Sequence, residues 1–195
     1  AGEIYINGEK VELNGVKEAQ AAGISIIYQE FNLINTLSVA ENIFLGNPPR
    51  NKLGMVDWKT MTRRANEVKA MLGVHGEKIN VLDKTGDLSM GSWQLIEIMR
   101  AFTGEPPRVI AFDEPTSSLT DNEVDVLMDI LAGLREKGTS CLYISHKLDE
   151  IYRLCDDVTI MRDGQVTGNA AVQEITRDKI IELMVGRSLD MEYPP

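Results

Sequence analysis

The chain has 195 residues, of which 43% are apolar and 26% charged, and it carries a formal net charge of −10. That is the composition of one globular domain with its own core; it argues against a disordered chain, and the acidic balance argues against nucleic acid as partner, because neutralising phosphates takes a basic face. Cys141 and Cys155 form neither a metal-ligand pair nor a disulfide framework, and no stretch approaches the ~18 apolar residues of a membrane span, so a soluble intracellular protein is expected.

In chain order, Glu3-Ile4-Tyr5-Ile6 and Glu9-Lys10-Val11-Glu12 flank Asn7-Gly8. Asn-Gly supplies the positive φ angles of a type I′ turn, so this stretch reads as a tight hairpin. A short helix at Val16–Ala22 should end on Gly23 in the left-handed cap position. Ile24-Ser25-Ile26-Ile27-Tyr28 then reads as a strand covered on both faces, stopping at Gln29. From Ser38 to about Thr85 the pattern turns helical. Trp58, Met61, Ala65, Val68 and Leu72 recur at spacings of three and four and make one apolar stripe, with a loop over residues 47–52 before it. A second helix, roughly Ser92–Thr103, carries Leu95, Ile96, Ile98, Met99 and Phe102.

Val109-Ile110-Ala111-Phe112 is another buried-type strand, ending at Asp113-Glu114. Thr120 and Glu123 form a capping-box pattern for a helix that buries Val124, Leu127, Ile130, Leu131 and Leu134 and stops at Gly138. Cys141-Leu142-Tyr143-Ile144 is a third apolar strand, ending at Ser145-His146, and a helix through Leu148, Ile151 and Leu154 follows. Asp157–Met161 and Gln165–Thr167 pair around Asp163-Gly164, and a last helix spans Arg177–Val185. Short apolar strands alternating with amphipathic helices predict an α/β domain with a mainly parallel sheet.

Three apolar strands thus end on residues able to do chemistry: Gln29, the Asp113-Glu114 pair, and His146. Ligands of open parallel sheets bind at the carboxyl ends of the strands, so three such endings describe a site. An Asp on a buried strand can sit rigidly beside Mg²⁺ while the adjacent Glu polarises an attacking water. Taken singly, the pair also reads as a charged turn. Leu88-Ser89-Met90-Gly91-Ser92 can present a hydroxyl and backbone N–H groups to an anion at a helix N-terminus, and also reads as an ordinary serine cap. His75 matches nothing and is expected to be a surface residue.

These segments together resemble the ATP-binding cassette (ABC) ATPases. Leu88–Ser92 is similar to the signature motif, Val109–Glu114 to Walker B and Ser117-Ser118-Leu119-Thr120 to the D-loop, while Gln29 matches the Q-loop glutamine and His146 the switch histidine. The order and spacing are family-like from Gly2 to Pro195. Glu41–Gly46, Ser145–Glu150 and Met184-Val185-Gly186-Arg187 further resemble the ATP-binding subunits of ribose, galactose and xylose importers, in which two cassettes lie in tandem; this chain looks like most of the first.

The resemblance implies a P-loop NTPase-like α/β fold with an antiparallel N-terminal hairpin. It divides the chain into an ATPase core (1–37 and 86–195) and a helical subdomain (38–85) that would touch a membrane subunit. ATP and Mg²⁺ are the implied cofactors. Asp113 and Gln29 would hold Mg²⁺ through water, Glu114 would be the general base, and His146 would contact the γ-phosphate. Ser89 and Gly91 would reach ATP held on a second cassette. Implied partners are that cassette, membrane permease subunits and, indirectly, a periplasmic or extracellular sugar-binding protein. The implied location is the cytoplasmic face of a membrane. Nucleic acid is not an implied partner; an ABC-like interaction module without catalysis, or a soluble ABC ATPase acting on nucleic acid or ribosomes, are the competing readings.

Two departures stand out. The fifth signature position, commonly Gln, is Ser92. No Gly-x-x-x-x-Gly-Lys-Ser/Thr occurs in the 195 residues, so the backbone cradle and lysine for the β- and γ-phosphates are missing from them. The family places that loop just before Ala1, and the start at Ala1-Gly2-Glu3 and the stop at Tyr193-Pro194-Pro195 read as cuts. The expectation is a truncated cassette that is inactive alone, with unpaired strand edges in its sheet.

Overall fold

A computed structural model describes residues 2–6 and 8–186. Asn7 of the expected turn, Arg187 of the importer-like segment and the Tyr193-Pro194-Pro195 end lie outside the described residues. The chain divides into two compact units, Ala1–Ile144 and Ser145–Pro195.

The first unit opens with β1 (Ile4–Ile6) and β2 (Glu9–Val11), antiparallel in the register Ile4 to Val11, with Gly8 at φ 82°. The helix α1 (Val16–Ala21) ends as expected at Gly23, whose φ of 83° favours glycine. The centre of the unit is a parallel sheet of β3 (Ile24–Ile27), β4 (Val109–Asp113) and β5 (Ser140–Ile144), in the order β3-β4-β5. Against it pack α4 (Met90–Ala101) and α5 (Asp121–Glu136), whose buried stripes include Ile96, Ile98 and Met99 on α4 and Leu127, Met128 and Leu131 on α5.

The expectation that the apolar strands are covered on both faces holds for β4 alone, where Ile110 and Phe112 are fully buried and Ala111 nearly so. Ile26 and Leu142 flank Ala111 in register, so the three share a face, and they are 50% and 57% exposed. The helices fill the opposite face, holding Ile27, Ile110 and Phe112. A run of four apolar residues cannot show that only one side has a helix over it. Among the described residues β3 and β5 each pair along one edge of this sheet only.

Between β3 and α4 lie α2 (Val39–Ile43) and α3 (Trp58–Ala70). The predicted α3 stripe buries Met61, Ala65, Val68 and Leu72. Trp58 does not join it: it is the first residue after the Asp57 cap and 58% exposed, at a position where the stripe has no neighbour to pack on. Residues 38–85 are also less helical than their pattern predicts. Outside α2 and α3 only short 3₁₀ turns occur, Gly73–Gly76 and Thr85–Asp87. His75 is half-buried rather than a surface residue, with Nε2 3.6 Å from Asp129 Oδ2 on α5.

The second unit holds α6 (Leu148–Leu154), a hairpin of β6 (Asp157–Arg162) and β7 (Gln165–Ala171), and α7 (Arg177–Val185). Asp163 and Gly164 both have positive φ (51° and 75°), as a type I′ turn requires. β7 runs four residues beyond the predicted Thr167. Those four residues pair with Asp157–Ile160, and a register shift between Ile160 and Met161 leaves Thr167 as the one extra residue. Ile180 anchors α7 as its buried residue, and Tyr152 Oη donates to the Ile175 carbonyl at 2.6 Å.

Among the described residues no helix is long and apolar enough to cross a membrane. Both cysteines are free thiols, and burial pushes the Cys141 thiol above its ordinary pKa.

Candidate functional site

The parallel register decides which sequence-picked residues meet. Ile27 stands beside Phe112, so Gln29 and Glu114 each lie two residues past that pair on neighbouring strands. Asp113 closes β4, paired in register with Ile144 of β5. Gln29, Asp113 and Glu114 therefore share the carboxyl end of one sheet. Gln29 is exposed, while Asp113 and Glu114 are half-buried.

Glu114 is where the backbone is special. Its φ is 44°, in the left-handed region that a non-glycine residue enters at a cost of about 1–3 kcal/mol. Two hydrogen bonds hold it there: its N–H donates to the Ile144 carbonyl at 2.9 Å, and its carbonyl accepts from Ser117 N–H at 3.2 Å. The chain is thus turned sharply out of β4 directly after Asp113.

Ser89 is the N-cap of α4: its hydroxyl accepts from Ser92 N–H at 3.3 Å. The helix begins at Met90, two residues earlier than the pattern predicts, because this cap lets Gly91 and Ser92 form its first turn. Gly91 N–H, free of any intrahelical partner at that position, donates to Glu123 Oε1 at 3.0 Å, as does Ser89 Oγ. Glu123 is the capping-box glutamate of α5, and its Oε2 accepts from Thr120 N–H (3.1 Å) and Thr120 Oγ (2.9 Å). The Thr120 N–H foremost, with the donors from Ser89 and Gly91, holds the Glu123 carboxyl below the usual glutamate pKa, so it stays ionised through the physiological range.

A second cluster ties the loop after Gln29 to the approach to Ser89. Asn42 on α2 is fully buried, and its Nδ2 donates to the carbonyls of Ile34 (3.0 Å) and Ser38 (3.1 Å) and to Thr85 Oγ1 (2.8 Å). Its Oδ1 accepts from Ile34 N–H at 2.7 Å. Thr85 N–H donates to the Leu37 carbonyl, and Trp93 Nε1 to the Thr85 carbonyl. Phe31 stands edge-on to Trp93, and Glu97 accepts from Asn32 N–H while Arg100 donates to the Asn32 carbonyl. The segment from Phe31 to Leu37 is thereby fastened to α4.

His146 belongs to the second unit, where it is exposed two residues beyond β5. Next to it Glu150, nearly buried, accepts from Ser145 Oγ at 3.2 Å and pairs with Lys147 Nζ at 3.4 Å. Sequence reasoning missed the roles of Asn42, Glu97 and Arg100. It found Glu123 only as a cap, since S/T-x-x-E carries no signal of a bond to Gly91, 32 residues away.

A model of the ABC transporter family matches residues 1–117, a span that includes β1–β4, Gln29, the Ser89–Gly91 turn and the Asp113-Glu114 end. The chain belongs to the ABC transporter family. Solved cassettes share its fold. The ADP conformation of MJ1267, an ATP-binding cassette of an ABC transporter, is 22% identical, with a TM-score of 0.77 over 96% of this chain and 78% of that one. The dimeric post-hydrolysis state of the cassette MJ0796 bound to ADP and Pi is 25% identical, with a TM-score of 0.66 over 88% and 74%. The cassette cbiO1 from Clostridium perfringens, part of the ABC transporter complex cbiONQ, is 22% identical, with a TM-score of 0.71 over 93% and 70%. The parallel sheet with its N-terminal antiparallel hairpin is the P-loop ABC ATPase fold, and in this cassette it brings Gln29, Asp113 and Glu114 to one end.

Proposed function

We propose that this ABC cassette hydrolyses ATP to energise carbohydrate import across a membrane. In this reading its 195 residues supply the base, the switch histidine and the signature face, but take their phosphate loop from elsewhere. The observation that carries the reading is the convergence of Gln29, Asp113 and Glu114 at one sheet end, where the chain leaves β4 through the left-handed backbone of Glu114. Asp113, with the Gln29 amide, offers oxygen donors that suit Mg²⁺, a hard cation that takes few protein ligands and keeps several waters. Bound there, Mg²⁺ would neutralise charge on the β- and γ-phosphate oxygens. Glu114 orients the attacking water and accepts its proton. His146 hydrogen-bonds the γ-phosphate, and Gln29 links the nucleotide to the loop that Asn42 and α4 hold. Ser89 Oγ and Gly91 N–H serve a γ-phosphate presented by the second cassette, as the α4 N-terminus favours an anion.

The open face of Ile26 and Leu142 and the single-sided pairing of β5 support a sheet completed by a phosphate-loop strand and helix. Segment 38–85 would face permease subunits, at the cytoplasmic side of the membrane, with a sugar-binding protein acting on the permease from the other side. The importer-like Glu41–Gly46 and Ser145–Glu150 segments support carbohydrate as cargo. Titration calorimetry of the 195 residues with Mg-ATP tests the division of labour. The expected affinity is weaker than about 100 μM, since the backbone cradle and lysine for the phosphates are not among these residues. Micromolar binding would contradict it.

A further inference from the structure

The two donors that the signature reading offers to a phosphate are already taken by an anion of the chain itself. Oε1 of Glu123 accepts from both Ser89 Oγ and Gly91 N–H at 3.0 Å, while Oε2 closes the α5 capping box on Thr120. A Cβ built on Gly91 would lie 2.6 Å from both Cγ and Cδ of Glu123, nearer than real side-chain carbons come. With the carboxylate docked here, a side chain at 91 is admitted only if the flexible end of Glu123 shifts. The carboxylate is ionised at neutral pH, held by N–H groups at the N-termini of both α4 and α5.

We propose that Glu123 is an intramolecular placeholder at the signature turn: its carboxylate occupies the Ser89–Gly91 donors until a phosphate of a nucleotide on the opposite cassette displaces it. This rests on the reading of Ser89 and Gly91 as phosphate donors. Oε1 and a phosphate oxygen cannot share these donors, and two anions so close repel each other, so displacement is the only route. The capping box gives the displaced side chain somewhere to remain, because Oε2 keeps both Thr120 bonds while Oε1 swings clear. The device makes association with the loaded partner harder. Glu123 is a positioning residue that acts through Ser89 and Gly91.

The test uses Glu123→Gln, which removes the charge and keeps a capping-box acceptor, so α5 stays capped. With a partner cassette that carries a phosphate loop, E123Q is expected to lower the KM for Mg-ATP about three- to tenfold with kcat within about twofold, a split that a merely structural role would not give. In the free chain the Gly91 amide resonance should move in E123Q. An unmoved Gly91 resonance, or an unchanged or raised KM in E123Q while Ser89→Ala and Gly91→Ala still raise it, overturns the placeholder. If Ser89→Ala and Gly91→Ala leave the KM unaltered, the phosphate-donor reading itself falls.

Discussion

Glu114→Gln, in the cassette completed by a phosphate loop, is expected to lower kcat for Mg-ATP by roughly 10²–10⁴-fold with a KM changed less than about threefold. The amide keeps the size and the hydrogen-bonding reach of the side chain but cannot take the proton of an attacking water. The left-handed φ of 44° at this residue gives a second, independent expectation. Glu114→Gly relieves backbone strain and should stabilise the chain by about 1 kcal/mol, measured by urea unfolding, while abolishing turnover. Strain retained at a carboxylate that stability alone would replace by glycine is what a functional position looks like. Turnover surviving in E114Q would remove Glu114 from the role of base, and a destabilised E114G would show that the turn at residue 114 is not strained.

Asn42→Ala is expected to cost about 3 kcal/mol of unfolding free energy with an unchanged denaturant slope, because it strands buried partners of a fully buried amide. The Ile34 N–H loses its acceptor, and Thr85 Oγ1 and the Ile34 carbonyl lose a donor. Asn42→Asp should be at least as damaging at neutral pH, since a carboxylate would face the carbonyls of Ile34 and Ser38 that now accept from Nδ2. A loss below about 1 kcal/mol in N42A would mean that water replaces the amide and that the Phe31–Leu37 loop is not held to Thr85 through this residue.

Much of this arrangement was legible in the sequence. The parallel sheet followed from three short apolar runs alternating with helical stripes, and the strand-end positions of Gln29 and Asp113-Glu114 followed from where those runs stop. What failed were statements about neighbours. Apolar runs at Ile24–Tyr28 and Cys141–Ile144 gave no sign that Ile26 and Leu142 face outward, because burial belongs to whichever element lies across the strand. Trp58 fitted the α3 period and still lies exposed, since the period fixes a direction without supplying a surface. The bond from Glu114 N–H to the Ile144 carbonyl and the bond from Gly91 N–H to Glu123 join residues 30 and 32 positions apart and leave no local pattern. His146 was placed by its strand ending, and the chain carries it into the second unit.

The central claim is that this cassette lends a signature face to ATP held by another. Sedimentation velocity of the 195 residues mixed with a phosphate-loop-bearing cassette, with hydrolysis blocked in the partner, tests it directly. The account predicts a heterodimer that forms only with Mg-ATP and is lost in Ser89→Ala. A mixture that stays monomeric with Mg-ATP, or a complex indifferent to both nucleotide and Ser89, would contradict it.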